Sequence, residues 1–128
     1  MISVQEVESR VLEAIVSGDG EVFKALKSQL VYIQERRRTF SGAGFVSRFI
    51  ISEDAEALPG RGSFYIGDVS GQTSALLHGF GSLLFVDSGL VRALEIYTYG
   101  EVWPDCLPDL TLTYDHPDTR QGIEGMDR

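Results

Sequence analysis

Cysteine is almost missing from this chain. Cys106 stands alone, which excludes an intrachain disulfide and a multi-cysteine metal centre. A single cysteine is read first as a small hydrophobe rather than a reactive thiol. Histidine occurs twice, at His78 and His116, and neither has an evident serine or cysteine partner. No G-x-S-x-G run is present to supply a serine nucleophile, and His78, where "LLHGFG" turns, is assigned a structural role. Long apolar runs are also lacking. None approaches the roughly 20 residues that a membrane-spanning helix needs. The opening "MISVQEVESR" carries acids where a signal peptide would carry bases. The expectation is a cytoplasmic protein with no membrane association.

Bases are scarce too. Eleven Lys and Arg face nineteen Asp and Glu, a net charge of −8. Residues 105–128 alone hold six acids against two arginines, contributing −4. So acidic a chain repels nucleic-acid phosphates unless a strong basic patch intervenes. The one basic run is Arg36-Arg37-Arg38, and in a strand alternate arginines face opposite ways, diluting the patch. Nucleic acid is therefore not an expected partner. The same balance favours encounter with a basic protein.

What is present suffices for one domain. At 128 residues, 43% of them hydrophobic, the chain can bury a core without staples. Ser3 and Glu6 have capping-box spacing. Val4, Val7, Val11, Leu12 and Ile15 then recur at helical intervals, until "SGDG" at Ser17–Gly20 ends the run. Val22, Phe23, Leu26 and Leu30 mark a second short helix. From about Leu30 the period becomes two. A strand opens at Val31, Tyr32 and Ile33 and runs through the arginines to Phe40. "SGAG" turns it, and "FVSRFIIS" returns. "EDAEALPGRG" is a polar loop, the segment expected to be most mobile. "SFYIGDVSGQTSALL" is strand-like but interrupted at Gly67 and Gly71.

"SLLFVDSGLVRALEIYTY" is the clearest hairpin, turning at Ser88-Gly89. With these as a two-residue loop, Val86 faces Val91, Leu84 faces Ala93 and Leu83 faces Leu94. Both faces are then largely apolar, and two short helices cover only one. That motivates an expected two-fold homodimer through the other face. "LTLTY" at Leu110–Tyr114 suits an edge strand. The predicted architecture is α+β: an N-terminal helical hairpin packed on a curved, mainly antiparallel sheet of about five to seven strands. Residues 1–114 form a single domain, and 115–128 a flexible acidic tail.

No catalytic set, metal site or cofactor motif emerges. "DHPD" at Asp115–Asp118 offers ligand atoms, but too few converge for a stable metal site. "GAGF" and "GFGS" neither extend to G-x-G-x-x-G nor lead into a helix, so no phosphate cradle forms. The candidate binding residues cluster in "LEIYTYGEVWPD": Glu95, Tyr97, Tyr99 and Trp103, with Glu101 nearby. Alternation puts Leu94, Ile96 and Thr98 on one face and Glu95, Tyr97 and Tyr99 on the other. Glu95 is expected to pair across the sheet with Arg36 or Arg38. Pro104 ends the strand, and Trp103 is placed to cover the sheet's end.

Gly42, Gly44, Phe45, Gly79, Gly81, Phe85, Gly89, Leu94, Glu95, Tyr97, Thr98, Tyr99, Trp103 and Pro104 together carry a resemblance. "FSGAGFVSRFII" followed by "LLHGFGSLLFVDSGLVRALEIYTYGEVWP" resembles a family of small uncharacterised bacterial proteins. Its members carry a G-x-G-F segment after the first strand. A glycine-rich hairpin follows, ending in a Leu-Glu-x-Tyr-Thr-Tyr-like run before Trp-Pro. The likeness covers roughly residues 35–104, departs at Ser41 and Ala43, and implies no activity. Small acidic bacterial proteins of this size also resemble toxin-neutralising immunity proteins in general character.

Two functions follow. One is a non-enzymatic bacterial binding protein, immunity- or antitoxin-like, engaging a basic protein through Glu95, Tyr97, Tyr99 and Trp103. The other is a small-molecule binder or hydrolase with a pocket between helices and sheet, Glu95 and an arginine at its mouth.

Overall fold

Ser3 caps the first helix in the computed structural model of the chain, which describes residues 1–116. Its hydroxyl accepts the Glu6 amide at 3.2 Å, satisfying one orphan donor of the first turn. The Glu6 carboxylate does not reach back; it pairs forward with Arg10 one turn on. Helix α1 (Val4–Val16) buries Val7, Val11, Leu12, Ile15 and Val16, and α2 (Glu21–Gln29) buries Val22, Phe23 and Leu26. At about 1.5–3 kcal/mol for each fully buried aliphatic side chain, these two stripes hold the helices on the sheet. Leu30–Tyr32 is a single 3-10 turn, not the opening of a strand as the alternation had suggested.

Seven strands follow among the described residues: β1 (Ile33–Phe40), β2 (Gly44–Ile51), β3 (Phe64–Ile66), β4 (Val69–Gln72), β5 (Phe80–Asp87), β6 (Leu90–Thr98) and β7 (Thr111–Tyr114). They form one antiparallel sheet in the order β1-β2-β6-β5-β4-β7, with β3 also paired to β5. The fold class is α+β, as the patterning predicts. The stretch that reads as one broken strand is two. β3 lies against Leu84–Val86 and β4 against Phe80–Gly81, with Gly67-Asp68 stepping between them.

The β5–β6 hairpin turns at Ser88-Gly89, both residues at positive φ (53° and 79°), the backbone a two-residue hairpin loop demands. Val86 pairs with Val91 as expected. Beyond that the register shifts by one: Phe85 pairs with Ala93, Leu84 with Leu94 and Leu83 with Glu95. Arg92 is the extra residue of a β-bulge, which restores agreement between apolar positions and the core face. Leu84, Val86, Val91, Leu94 and Ile96 all turn towards the helices and are fully or nearly fully buried.

Both helices pack on one face of this sheet. Among the described residues no helix covers the other. That uncovered face carries Val46, Arg48 and Ile50 from β2, Ala93, Glu95 and Tyr97 from β6, Leu83 and Phe85 from β5, and Tyr65 from β3, placed by alternation and register. Asp115 is docked rather than loose. Its amide donates to the Asp68 carbonyl at 2.8 Å and its carboxylate accepts from the Ser70 hydroxyl at 2.9 Å. The remainder of the expected tail, from residue 117, lies outside the described residues. No helix among those described is long and apolar enough to cross a membrane.

Candidate functional site on the uncovered sheet face

The six residues singled out from sequence separate into two groups. Arg36 and Arg38 point from β1 towards the helices, and their partner is Glu8 of α1, not Glu95. Arg36 Nη1 reaches Glu8 Oε2 at 2.8 Å, and Arg38 Nε reaches Oε1 at 2.8 Å. Glu8 is 0% exposed, so both of its oxygens are held by arginines whose other ends reach water. The Arg36 guanidinium also lies 5.7 Å from the Phe49 ring centre. This triad fastens the helix to the sheet's edge. Arg37 faces the other way and pairs with Glu35 on its own strand. The expected Glu95–arginine pair does not form, because strand alternation puts its members on opposite faces.

Trp103 also belongs to the scaffold. It is buried, edge-on between Phe45 at 5.5 Å and Phe80 at 5.4 Å. Its amide donates to the Gly42 carbonyl at 2.7 Å. It closes the end of the core as the sequence suggests, and is no contact surface.

Glu95, Tyr97 and Tyr99 remain, together on the uncovered face. Tyr97 and Tyr99 meet edge-to-face at 5.8 Å between centres, a favoured aromatic geometry. The Tyr97 ring lies across Gly81 of the neighbouring strand. A β-carbon at Gly81 would stand 2.5 Å from the Tyr97 hydroxyl, so the strand must lack a side chain there for the ring to lie down. Burial pushes the Tyr97 hydroxyl pKa up, and Tyr99, Glu95 and Asp115 push it further. The tyrosine therefore sits in a negative field. Glu95 makes no ion pair among the described residues. Lower on the same face, Tyr65 and Phe85 stack at 6.3 Å, exposed to 60% and 36%.

Sequence reading missed Asp115, Tyr65 and Phe85. Asp115 was hidden in an apparent tail, although it directly follows the last apolar alternation. Tyr65 and Phe85 needed the β3–β5 register, which no local pattern carries. Glu101 serves the scaffold. Its carboxylate accepts the amides of Leu77 and His78 at 2.9 and 3.1 Å, and these bonds hold its pKa below the ordinary carboxylate value. Asp109 likewise accepts the Ser74 amide at 2.8 Å and the Thr73 hydroxyl at 2.9 Å, and these bonds hold its pKa below the ordinary value. The two acids clamp the loop leading into β5.

No pocket mouth can hold both Glu95 and Arg36 or Arg38. A cavity of about 310 Å³ does open elsewhere, between α2 and Glu56–Pro59, away from all six candidates. No group of three or more metal-ligating side chains occurs among the described residues. Comparison of the chain with protein-family models, curated proteins and solved structures returns no match.

Proposed function

We propose that the chain is a non-enzymatic binding protein whose uncovered sheet face takes a basic protein partner, in the manner of bacterial toxin-neutralising immunity proteins. A cytoplasmic setting belongs to this reading. The observation that carries it is the face itself, left bare by the helices and set with Tyr65, Phe85, Tyr97 and Tyr99. Exposed aromatic clusters of this kind mark interaction surfaces, and tyrosine is a frequent interface anchor. Charge supports the choice of partner. Residues 62–116, which build β3 to β7, hold seven acids against the single base Arg92, whereas residues 1–61 hold nine against eight. The excess acid lies in this half of the chain, mostly in the segments that connect its strands, with Glu95 and Asp115 beside the tyrosines. The pocket reading loses its stated mouth, since Glu95 and its intended arginines stand on opposite faces; the hollow of about 610 Å³ between α1 and β7 is lined by none of them.

A second copy of the chain is the competing occupant, and one experiment separates the two. The wild-type chain and the double variant Tyr65→Ser/Phe85→Ser are used for affinity capture from the native host. Each captured protein is then purified and titrated calorimetrically against both chains. The expected result is one basic protein that binds wild type and is lost, by at least about tenfold in Kd, with the double variant. Identical titrations for the two chains contradict the proposal. Capture of the chain alone assigns the face to self-association.

A further inference from the structure

Resting on that reading, we infer that the Tyr97–Tyr99 corner receives a single arginine side chain of the partner, its guanidinium against the tyrosine rings and between the carboxylates of Glu95 and Asp115. Three observations converge on this corner. Tyr97 lies flat across Gly81, so the strand offers a ring surface where a side chain would otherwise stand. Tyr99, 55% exposed, meets it edge-to-face and walls the seat on the side away from Glu95. Two carboxylates flank the rings. Glu95 sits two residues back on the same strand and face. Asp115 is fixed by Ser70, whose strand position pairs with Gly81 directly beside Tyr97.

The chemistry selects a cation. An aromatic face attracts ammonium and guanidinium groups through its quadrupole, and a carboxylate beside it adds a charge-assisted hydrogen bond. Of the two, the planar guanidinium can stack on a ring and still donate sideways to acids on both flanks. Among the described residues no base occupies the place. From residue 93 to 116 there is neither Lys nor Arg. On the same face, Arg37 is engaged by Glu35, and Arg48, paired across the strands with Ala93, makes no ion pair with Glu95. Of the flanking acids, Asp115 keeps one oxygen on Ser70, while Glu95 has no hydrogen-bonded partner among the described residues.

The test uses the full chain and two capped tripeptides, Gly-Arg-Gly and Gly-citrulline-Gly, which differ in charge but hardly in shape. Binding is followed by NMR on the ring signals of Tyr97 and Tyr99 and the amides of residues 95–99. The arginine peptide is expected to shift these signals saturably. The citrulline peptide should bind at least about tenfold more weakly, the usual worth of a charge-assisted bond. Glu95→Gln should weaken the arginine peptide about three- to tenfold, and Tyr99→Ala should weaken it too. Gly81→Ala should do the same by lifting the Tyr97 ring, with both carboxylates intact. Glu13→Gln, a surface acid on α1, should change nothing. Equal binding of the two peptides, shifts spread over the whole acidic surface, or insensitivity to Glu95→Gln each overturns the assignment. Loss of this seat with the protein partner still bound would reject the arginine corner alone. Loss of the partner with the peptide still seated would reject the wider reading alone.

Discussion

Single residues in this chain do different work from what their type suggests. Trp103 is an interface type by composition, yet it is wedged between Phe45 and Phe80. Trp103→Ala should lower stability by about 3–5 kcal/mol in chemical denaturation, the usual cost of emptying a buried aromatic site. A melt unchanged from wild type would refute its place in the core. Ser47 is the converse case. Its hydroxyl is buried on the core face without a hydrogen-bond partner among the described residues, so its desolvation goes uncompensated. Ser47→Ala should be neutral or stabilising by about 1 kcal/mol on the same assay; a clear loss would mean the hydroxyl is paired. The sequence held a clue to Glu8 as well. It stands four residues before Leu12 and seven before Ile15, inside the apolar stripe of its helix. An acid in that stripe requires a basic partner. Identifying that partner as Arg36 and Arg38, about thirty positions away, required the fold.

Elements were legible where local chemistry decides them. Ser3 and "SGDG" bound the first helix, and Ser88-Gly89 turns the hairpin, because caps and turns are settled within a few residues. The Arg92 bulge and the division of β3 from β4 were not legible, because both are set by what lies on the adjacent strand. Two consequences can be measured at this scale. Gly89 combines φ +79° with a β-carbon position only 2.9 Å from the Leu58 amide nitrogen. Gly89→Ala should therefore cost about 1–2 kcal/mol, whereas an unchanged midpoint would show that the turn relaxes. The clamped loop before β5 has its own pH signature. Backbone bonds hold Glu101 and Asp109 below their ordinary values of 4.5 and 3.8, so the folded chain binds fewer protons there than the unfolded one. Their stabilisation is complete above those values and lost as pH falls through and below them. Amide exchange at Leu77 and His78 should quicken relative to the core in that acid range. Glu101→Gln should flatten the dependence, and a pH-independent ratio would show that the carboxylate does not hold the loop.

At the scale of the molecule, two asymmetries coincide. Among the described residues helices cover one face of the sheet only, and the excess acid is gathered in the half of the chain that forms β3 to β7. The α+β class and the bare face could be read from hydrophobic periodicity, because two short helices cannot cover both sides of a doubly apolar hairpin. Which aromatics the bare face presents could not, since Tyr65 meets Phe85 only through register. At the β1 edge, charged side chains (Glu35 and Arg36 to Arg38) disfavour edge-to-edge growth. The proposed partner is therefore assigned to the face rather than to this edge. Photo-cross-linking in the native host tests this most directly, with benzoylphenylalanine placed at Phe85 on the bare face and at Val31, 83% exposed on the 3-10 turn before β1. The account predicts one discrete adduct with a basic protein from position 85 and none from position 31. An adduct of two copies of the chain, equal adducts from both positions, or none from position 85 would contradict it.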